Sequence, residues 1–349
     1  MFAMTRKVRW ALAAAASAVA LVVGVAIGIS IGEEPEKGPG CAVSAKLVPE
    51  CGRWWGVAPG VFTTKSTEKA LADWEDKTRR PADAIHMYHR DGEIFPTDRQ
   101  IAMARDGARP RLLFLNWKPE LGRTWAQVAA GDPVVDRHID DVARRIRDVY
   151  PDRFFLAVHH EPEEEVRPAP GSGFTARDYA AMVRHVVKRL RDGGADNAVT
   201  VMAYMGVPNW GAQPWFNDLY PGDDVIDWVA ADLYADKWVN DFATLVNKTR
   251  PDYPAWPGFY EWASKRFPEK PLMLAEWGTV NRKDDPDFSR RFFASVPRQL
   301  PNYPRLKGLL YFESPKTPVG DTRWNATGAS ANAFRQIARM PDFNRLTPP

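Results

Sequence analysis

The stretch Phe154-Phe155-Leu156-Ala157-Val158-His159-His160-Glu161 decides the fold. It is a short apolar run that stops at a glutamate, and Pro271-Leu272-Met273-Leu274-Ala275-Glu276-Trp277-Gly278 repeats that design further along the chain. Apolar runs of this length read as buried strands. A carboxylate at the C-terminal tip of such a strand is expensive to desolvate, which marks the tip as a site.

Working outward, strand-like segments fall near 53–58, 83–89, 111–117, 153–160, 198–204, 225–233, 271–276 and 306–312. Helix-like segments alternate with them near 66–77, 98–107, 135–149, 175–193, 254–266, 286–299 and 328–339, with a weaker one near 214–219. In 135–149, Val135, Ile139, Val142, Ile146 and Val149 recur at three- and four-residue steps, which gives an amphipathic face. Thr175 is a good N-cap for the next helix, and Gly193-Gly194 stops it. Strands each followed by a helix predict a (β/α)8 TIM barrel over 53–349. No Gly-x-Gly-x-x-Gly follows an early strand, which argues against a doubly wound open sheet.

Arg6, Lys7 and Arg9 precede an uncharged stretch, 10–32, rich in Ala, Val and Ile. Its length exceeds that of a secretory h-region and suits an apolar helix serving as a membrane anchor, with a signal peptide as the alternative for 1–32. Either way the basic flank stays inside and the rest of the chain is exported, anchored at the cell surface or secreted. The segment 33–52 carries the only cysteines, Cys41 and Cys51, which in an oxidising compartment can close a small disulfide loop before the barrel. The net charge of +3 is small and spread out, so composition gives no case for nucleic acid. A monomer is expected.

Barrel active sites sit where strands end and loops begin. In this count Glu161 ends the fourth strand and Glu276 the seventh, so two carboxylates face one mouth. Such pairs are the equipment of glycoside hydrolysis, in which one carboxyl is protonated and the other ionised. Glu163, Glu164 and Glu165 should raise the pKa of Glu161 and keep it an acid. Strict alternation puts His160 and Glu161 on opposite faces, so both reach the pocket only if the strand tip bulges.

Of the 14 Trp, Trp117, Trp210, Trp238 and Trp277 are candidates to pack on sugar rings, whereas Trp54, Trp74, Trp228 and Trp262 sit within strand or helix patterns and read as structural. The Glu163–Glu165 run reads as a solvated loop. His86 and His89 face opposite sides of the second strand, which suits packing or a lone substrate contact. Glu313 is a spare carboxylate at the eighth tip, and the rival if the strand count is wrong. His159-His160-Glu161 has no third ligand at motif spacing, so no metal or cofactor is expected, although a metal-dependent hydrolase is a third reading.

These residues also carry a resemblance. Trp125-Ala126-Gln127-Val128-Ala129-Ala130-Gly131, then Asp136-Arg137-His138-Ile139, then His160-Glu161 resemble glycoside hydrolase family 26. So do Asp227-Trp228-Val229 leading to Tyr234, Lys270-Pro271 leading to Glu276-Trp277-Gly278, and Leu309-Leu310-Tyr311-Phe312. The resemblance implies a retaining endo-β-glycosidase acting on a β-linked polysaccharide, β-1,4-mannan above all. It implies Glu161 as acid/base, Glu276 as nucleophile, His160 as orienting histidine and Tyr234 as hydrogen-bond donor to the nucleophile. The family's continuation after the acid, Met-Asn-Gly with an aromatic close behind, is here Pro162-Glu163-Glu164-Glu165-Val166. That departure leaves room for xylan or a β-glucan, and for a cell-envelope protein that binds sugar without cutting it.

Overall fold

The computed structural model describes residues 41–346 and 348. The predicted anchor or signal segment, 1–32, lies outside these residues. No helix among the described residues is long and apolar enough to cross a membrane.

Eight parallel strands close into one barrel in chain order: β1 Trp54–Ala58, β2 Ala84–Arg90, β3 Leu112–Lys118, β4 Phe154–Val158, β5 Ala198–Tyr204, β6 Trp228–Ala235, β7 Leu272–Thr279 and β8 Leu306–Phe312. β8 pairs back on β1, with Trp54 opposite Gly308 and Ala58 opposite Phe312. The predicted (β/α)8 architecture is therefore present. Helices longer than two turns fall where periodicity placed them, and short ones at Trp125–Ala129 and Phe242–Val246 add to the expected set.

Alternation along each strand sorts the apolar residues into two layers. One side chain set, including Trp54, Phe114, Phe155, Val201, Trp228 and Met273, fills the barrel interior. The other, including Trp55, Leu115, Leu156, Leu274 and Trp277, packs outward against the helices. Gly56 in β1 makes room in the interior: a Cβ there would lie 2.5 Å from Leu310 Cγ. Trp54 and Trp228 are interior residues, in keeping with their structural reading.

The helices start where their sequences provide caps. Asp132 accepts from Val134 and Val135 N–H at the head of Pro133–Val149, and that helix buries Val135, Ile139, Val142 and Ile146. Thr175 caps Ala176–Asp192 in a capping box with Asp178, and Gly193 follows its last turn.

Cys41 and Cys51 are bonded. The loop they close lies against the barrel: Leu47 is buried among the interior residues, Trp54 Nε1 donates to Leu47 O at 2.8 Å, and Trp228 Nε1 donates to Lys46 O at 2.7 Å. The loop contributes to the packed domain.

Candidate active site

The two glutamates reach the barrel mouth by different backbone devices. β4 stops at Val158, short of the expected end at residue 160, and His159 and Glu161 both take left-handed backbone angles, φ 51° and φ 52°. Neither residue is glycine, so both positions are strained. These two reversals break the alternation, which removes the conflict between His160 and Glu161. Glu161 N–H is tied to Ala203 O of β5 at 3.0 Å.

β7 uses a bulge. Leu274 pairs with Ala231 of β6, but Glu276 pairs with Asp232, so one extra residue lies between them. β7 is also irregular against β8 between Leu274 and Trp277. Ala275 faces the interior, and the extra residue turns Glu276 toward the mouth as well. His86 Nδ1 donates to the carbonyl of Ala275 at 3.0 Å, while its Nε2 accepts from Asn116 at 2.8 Å. Burial holds His86 neutral, with its pKa pushed down to about 3.

Glu276 is held by two hydroxyls. Tyr88 Oη donates to Oε1 at 2.7 Å, and Tyr234 Oη donates to Oε2. Tyr234 was expected from the sequence; Tyr88, the inward residue of β2 two positions after His86, was missed. An aromatic with inward parity near the tip of β2 was the available signal. Burial raises the pKa of Glu276, and the two tyrosine hydrogen bonds oppose that rise. Glu161 is raised well above the ordinary carboxylate range, by burial foremost, then by Glu276, Glu163 and Glu164. Glu165, expected to add to this effect, instead pairs with Lys118 and lies 3.3 Å from His159 Nε2. This arrangement favours the proton on Glu161 over Glu276.

Asp232 is a third carboxyl that sequence reading did not single out. It is 3 % exposed, and neither of its oxygens has a hydrogen-bond partner among the described residues. Burial and the neighbouring Glu276, Glu161 and Glu163 raise its pKa well above the usual value. His160, also held neutral by burial, lies tilted against Tyr88 with ring centroids 5.6 Å apart, and its Nδ1 has no partner among the described residues. One donor atom each from His160, Asp232 and Glu276 lies within 4.8 Å of the others, a set able to hold a cation. Both Glu276 oxygens of this set already accept from tyrosine hydroxyls.

The Glu163–Glu165 segment is only in part the solvated loop expected, because Glu164 is exposed but Glu163 is not. Glu163 is fully buried; its Oε1 accepts from Met205 N–H at 2.8 Å, and its pKa is pushed up by burial to about 8. His159 Nδ1 pairs with Glu120, so its imidazole sits between two carboxylates. Burial lowers the His159 pKa, but these partners outweigh it and the net shift is upward, while Glu165 falls to about 2 through its hydrogen bond to His159. A cavity of about 390 Å³ opens over this network, lined among others by Tyr88, Asn116, Lys118, Glu120 and His160. A larger cavity, about 1130 Å³, lies between helices Thr67–Thr78 and Asp98–Ala104, away from the carboxyl pair, where Arg109 and Arg111 neutralise Glu75.

The tryptophan candidates divide. Trp117 and Trp277 are fully buried in the outer layer, Trp117 edge-on to Phe95 and His138 and Trp277 edge-on to Tyr311 and Phe293. They do not face the mouth, because their strand parity turns them toward the helices; Asn116 and Glu276 take the inward positions. Trp210 is partly buried with its ring 6.1 Å from Trp215. Trp238, after β6, is 47 % exposed between the cations of Lys237 and Arg250. Glu313 lies beyond the end of β8 with its pKa raised by burial to about 7, and Lys77 and Lys65 are its nearest cationic neighbours. The expected strand order is present, with Glu161 following β4 and Glu276 in β7.

No protein-family model matches the chain, and no curated protein does. Solved structures do. A family 26 β-mannanase from Bacteroides ovatus superposes with a TM-score of 0.58 at 18 % identity, covering 84 % of this chain and 90 % of that one. A β-mannanase from a symbiotic protist of the termite Reticulitermes speratus gives 0.56 at 14 % identity, covering 89 % and 100 %. The family 26 domain of a Prevotella bryantii endo-β-mannanase/endo-β-glucanase gives 0.56 at 12 %, covering 83 % and 90 %. At such identities the likeness establishes a shared barrel fold over most of the chain.

Proposed function

We propose that this protein is a retaining endo-acting glycoside hydrolase that cleaves a β-linked polysaccharide, β-1,4-mannan first among candidates. The observation that carries the reading is the asymmetric carboxyl pair: Glu276 accepts two tyrosine hydroxyls, while burial and Glu276 itself hold Glu161 well above the ordinary carboxylate range. The shared fold with family 26 β-mannanases supports it.

In this mechanism Glu161 passes its proton to the glycosidic oxygen as the bond from that oxygen to the anomeric carbon breaks. A Glu276 oxygen attacks the same carbon and forms a glycosyl ester. Water then attacks the ester, giving its proton to the Glu161 carboxylate and releasing Glu276. Tyr88 and Tyr234 orient Glu276 and favour its ionised state. Neutral His160 and Asn116, each with a polar atom that has no partner among the described residues, offer hydrogen bonds to sugar hydroxyls. The altered Pro162–Val166 segment favours testing xylan and mixed-linkage glucan beside mannan. Export through the 1–32 segment and action as a monomer belong to the same proposal.

Reducing-sugar release from β-mannan, xylan and mixed-linkage β-glucan tests it. Release from one of these, abolished in Glu161→Ala and Glu276→Ala proteins of unchanged circular dichroism, is the expected result. Full activity in either variant contradicts the assignment.

A further inference from the structure

We propose that Phe62 is a stacking platform for a pyranose unit flanking the one Glu276 attacks. This rests on the glycosidase reading and adds a subsite to it.

Phe62 lies after β1 and is 65 % exposed, the most exposed large hydrophobic among the described residues. Single exposed apolar side chains are ordinary on protein surfaces. This one is unusual because its backbone is both strained and fastened. Its φ is 58°, a conformation that L side chains rarely adopt. Just before it, Val61 N–H donates to Glu313 O at 3.1 Å and Val61 O accepts from Ser314 Oγ at 2.7 Å, which ties the segment to the tip of β8. On the other side Gly60 sits so close to the helix Thr67–Thr78 that a Cβ would lie 2.6 Å from Ala70 Cβ. The ring is thus held out into solvent by a segment with fixed attachments.

Its position gives the purpose. The Phe62 ring lies 6.3 Å from Phe312, whose ring lies 6.2 Å from Tyr88 and 6.1 Å from Tyr234. Those are the two tyrosines that hold Glu276. An aromatic path therefore leads from the nucleophile to an exposed ring at the rim. The apolar C–H face of a β-linked pyranose is the chemical class that packs on such a ring.

The test uses native gels containing β-mannan, xylan or mixed-linkage β-glucan, with Glu276→Ala protein as the parent so that glycan is held without turnover. Phe62→Gly removes the ring and suits the left-handed backbone, so its melting temperature should equal or exceed the parent's. Its affinity from gel retardation should fall about tenfold, and Phe62→Trp should restore it. Retardation unchanged by Phe62→Gly overturns the platform. A fall of Phe62→Gly in melting temperature by several degrees assigns the ring to packing and overturns it too. A parent retarded by none of the gels overturns the platform along with glycan binding. Sugar release by the protein with Glu276 intact judges the glycosidase reading separately.

Discussion

Glu276 is the most constrained residue of the site, since each of its oxygens accepts a tyrosine hydroxyl. Hydrogen bonds to the charged form lower a carboxyl pKa, so removing one raises it. Tyr88→Phe should therefore move the acidic limb of the pH–rate profile to higher pH and reduce kcat by about tenfold to a hundredfold, the value of a hydrogen bond to a charged group. Tyr234→Phe should act in the same direction. An acidic limb that stays in place in both variants would show that these hydroxyls do not tune the nucleophile. Asp232 poses a different case. Burial and its carboxyl neighbours raise its pKa, so Asp232→Asn should match the parent's melting temperature at a pH below the ordinary aspartate range and slow the loss of melting temperature as pH rises above it.

At the scale of elements, the segment after β4 is built on charge that sequence reading placed in solvent. Glu163 has a folded pKa of about 8 against an ordinary value of 4.5. A raised carboxyl pKa favours the folded state fully below the unfolded value. That advantage is lost as pH climbs from 4.5 toward 8, by on the order of 4–5 kcal/mol at most. Glu163→Gln should keep the contacts to Met205 and Gly206 and flatten the fall in melting temperature between pH 5 and pH 8. An equal fall in both proteins would contradict the burial argument. His159 works in a neighbouring window: its net pKa is raised by Glu120 and Glu165, so its contribution is complete below 6.5 and lost as pH passes its folded value. The strands were legible because apolar runs and caps are local signals. The carboxyl tips were legible because a charge at the end of an apolar run is costly. Trp117 and Trp277 were misplaced because strand parity, read through to Asn116 and Glu276, outweighs a loop-like neighbourhood. The β7 bulge, the two left-handed residues around His160 and the burial of Glu163 depend on contacts between strands distant in sequence, and no periodicity records them.

For the whole molecule, closure of the barrel brings residues from β2, β4, β6 and β7 to one mouth, while the 41–51 loop packs against the interior residues Trp54 and Trp228. Reduction of the Cys41–Cys51 bond frees this loop in the unfolded chain and should lower stability by about 2–3 kcal/mol. A melting temperature a few degrees lower after reduction, with sugar release unchanged at 25 °C, is the expected outcome, because the loop is held by the interior residues Trp54 and Trp228 and not by Glu161 or Glu276.

The central claim, that Glu161 and Glu276 divide the work of a retaining glycosidase, is tested most directly by azide rescue on a 2,4-dinitrophenyl β-glycoside of the sugar the protein cleaves, whose leaving group departs without acid help, with the anomeric form of the product read by NMR. With Glu161→Ala, azide should attack the glycosyl ester on Glu276 and give a β-glycosyl azide. With Glu276→Ala, azide should take the place of the missing carboxylate and give the α-anomer. The same anomer from both variants, or the two anomers exchanged, would contradict the assignment.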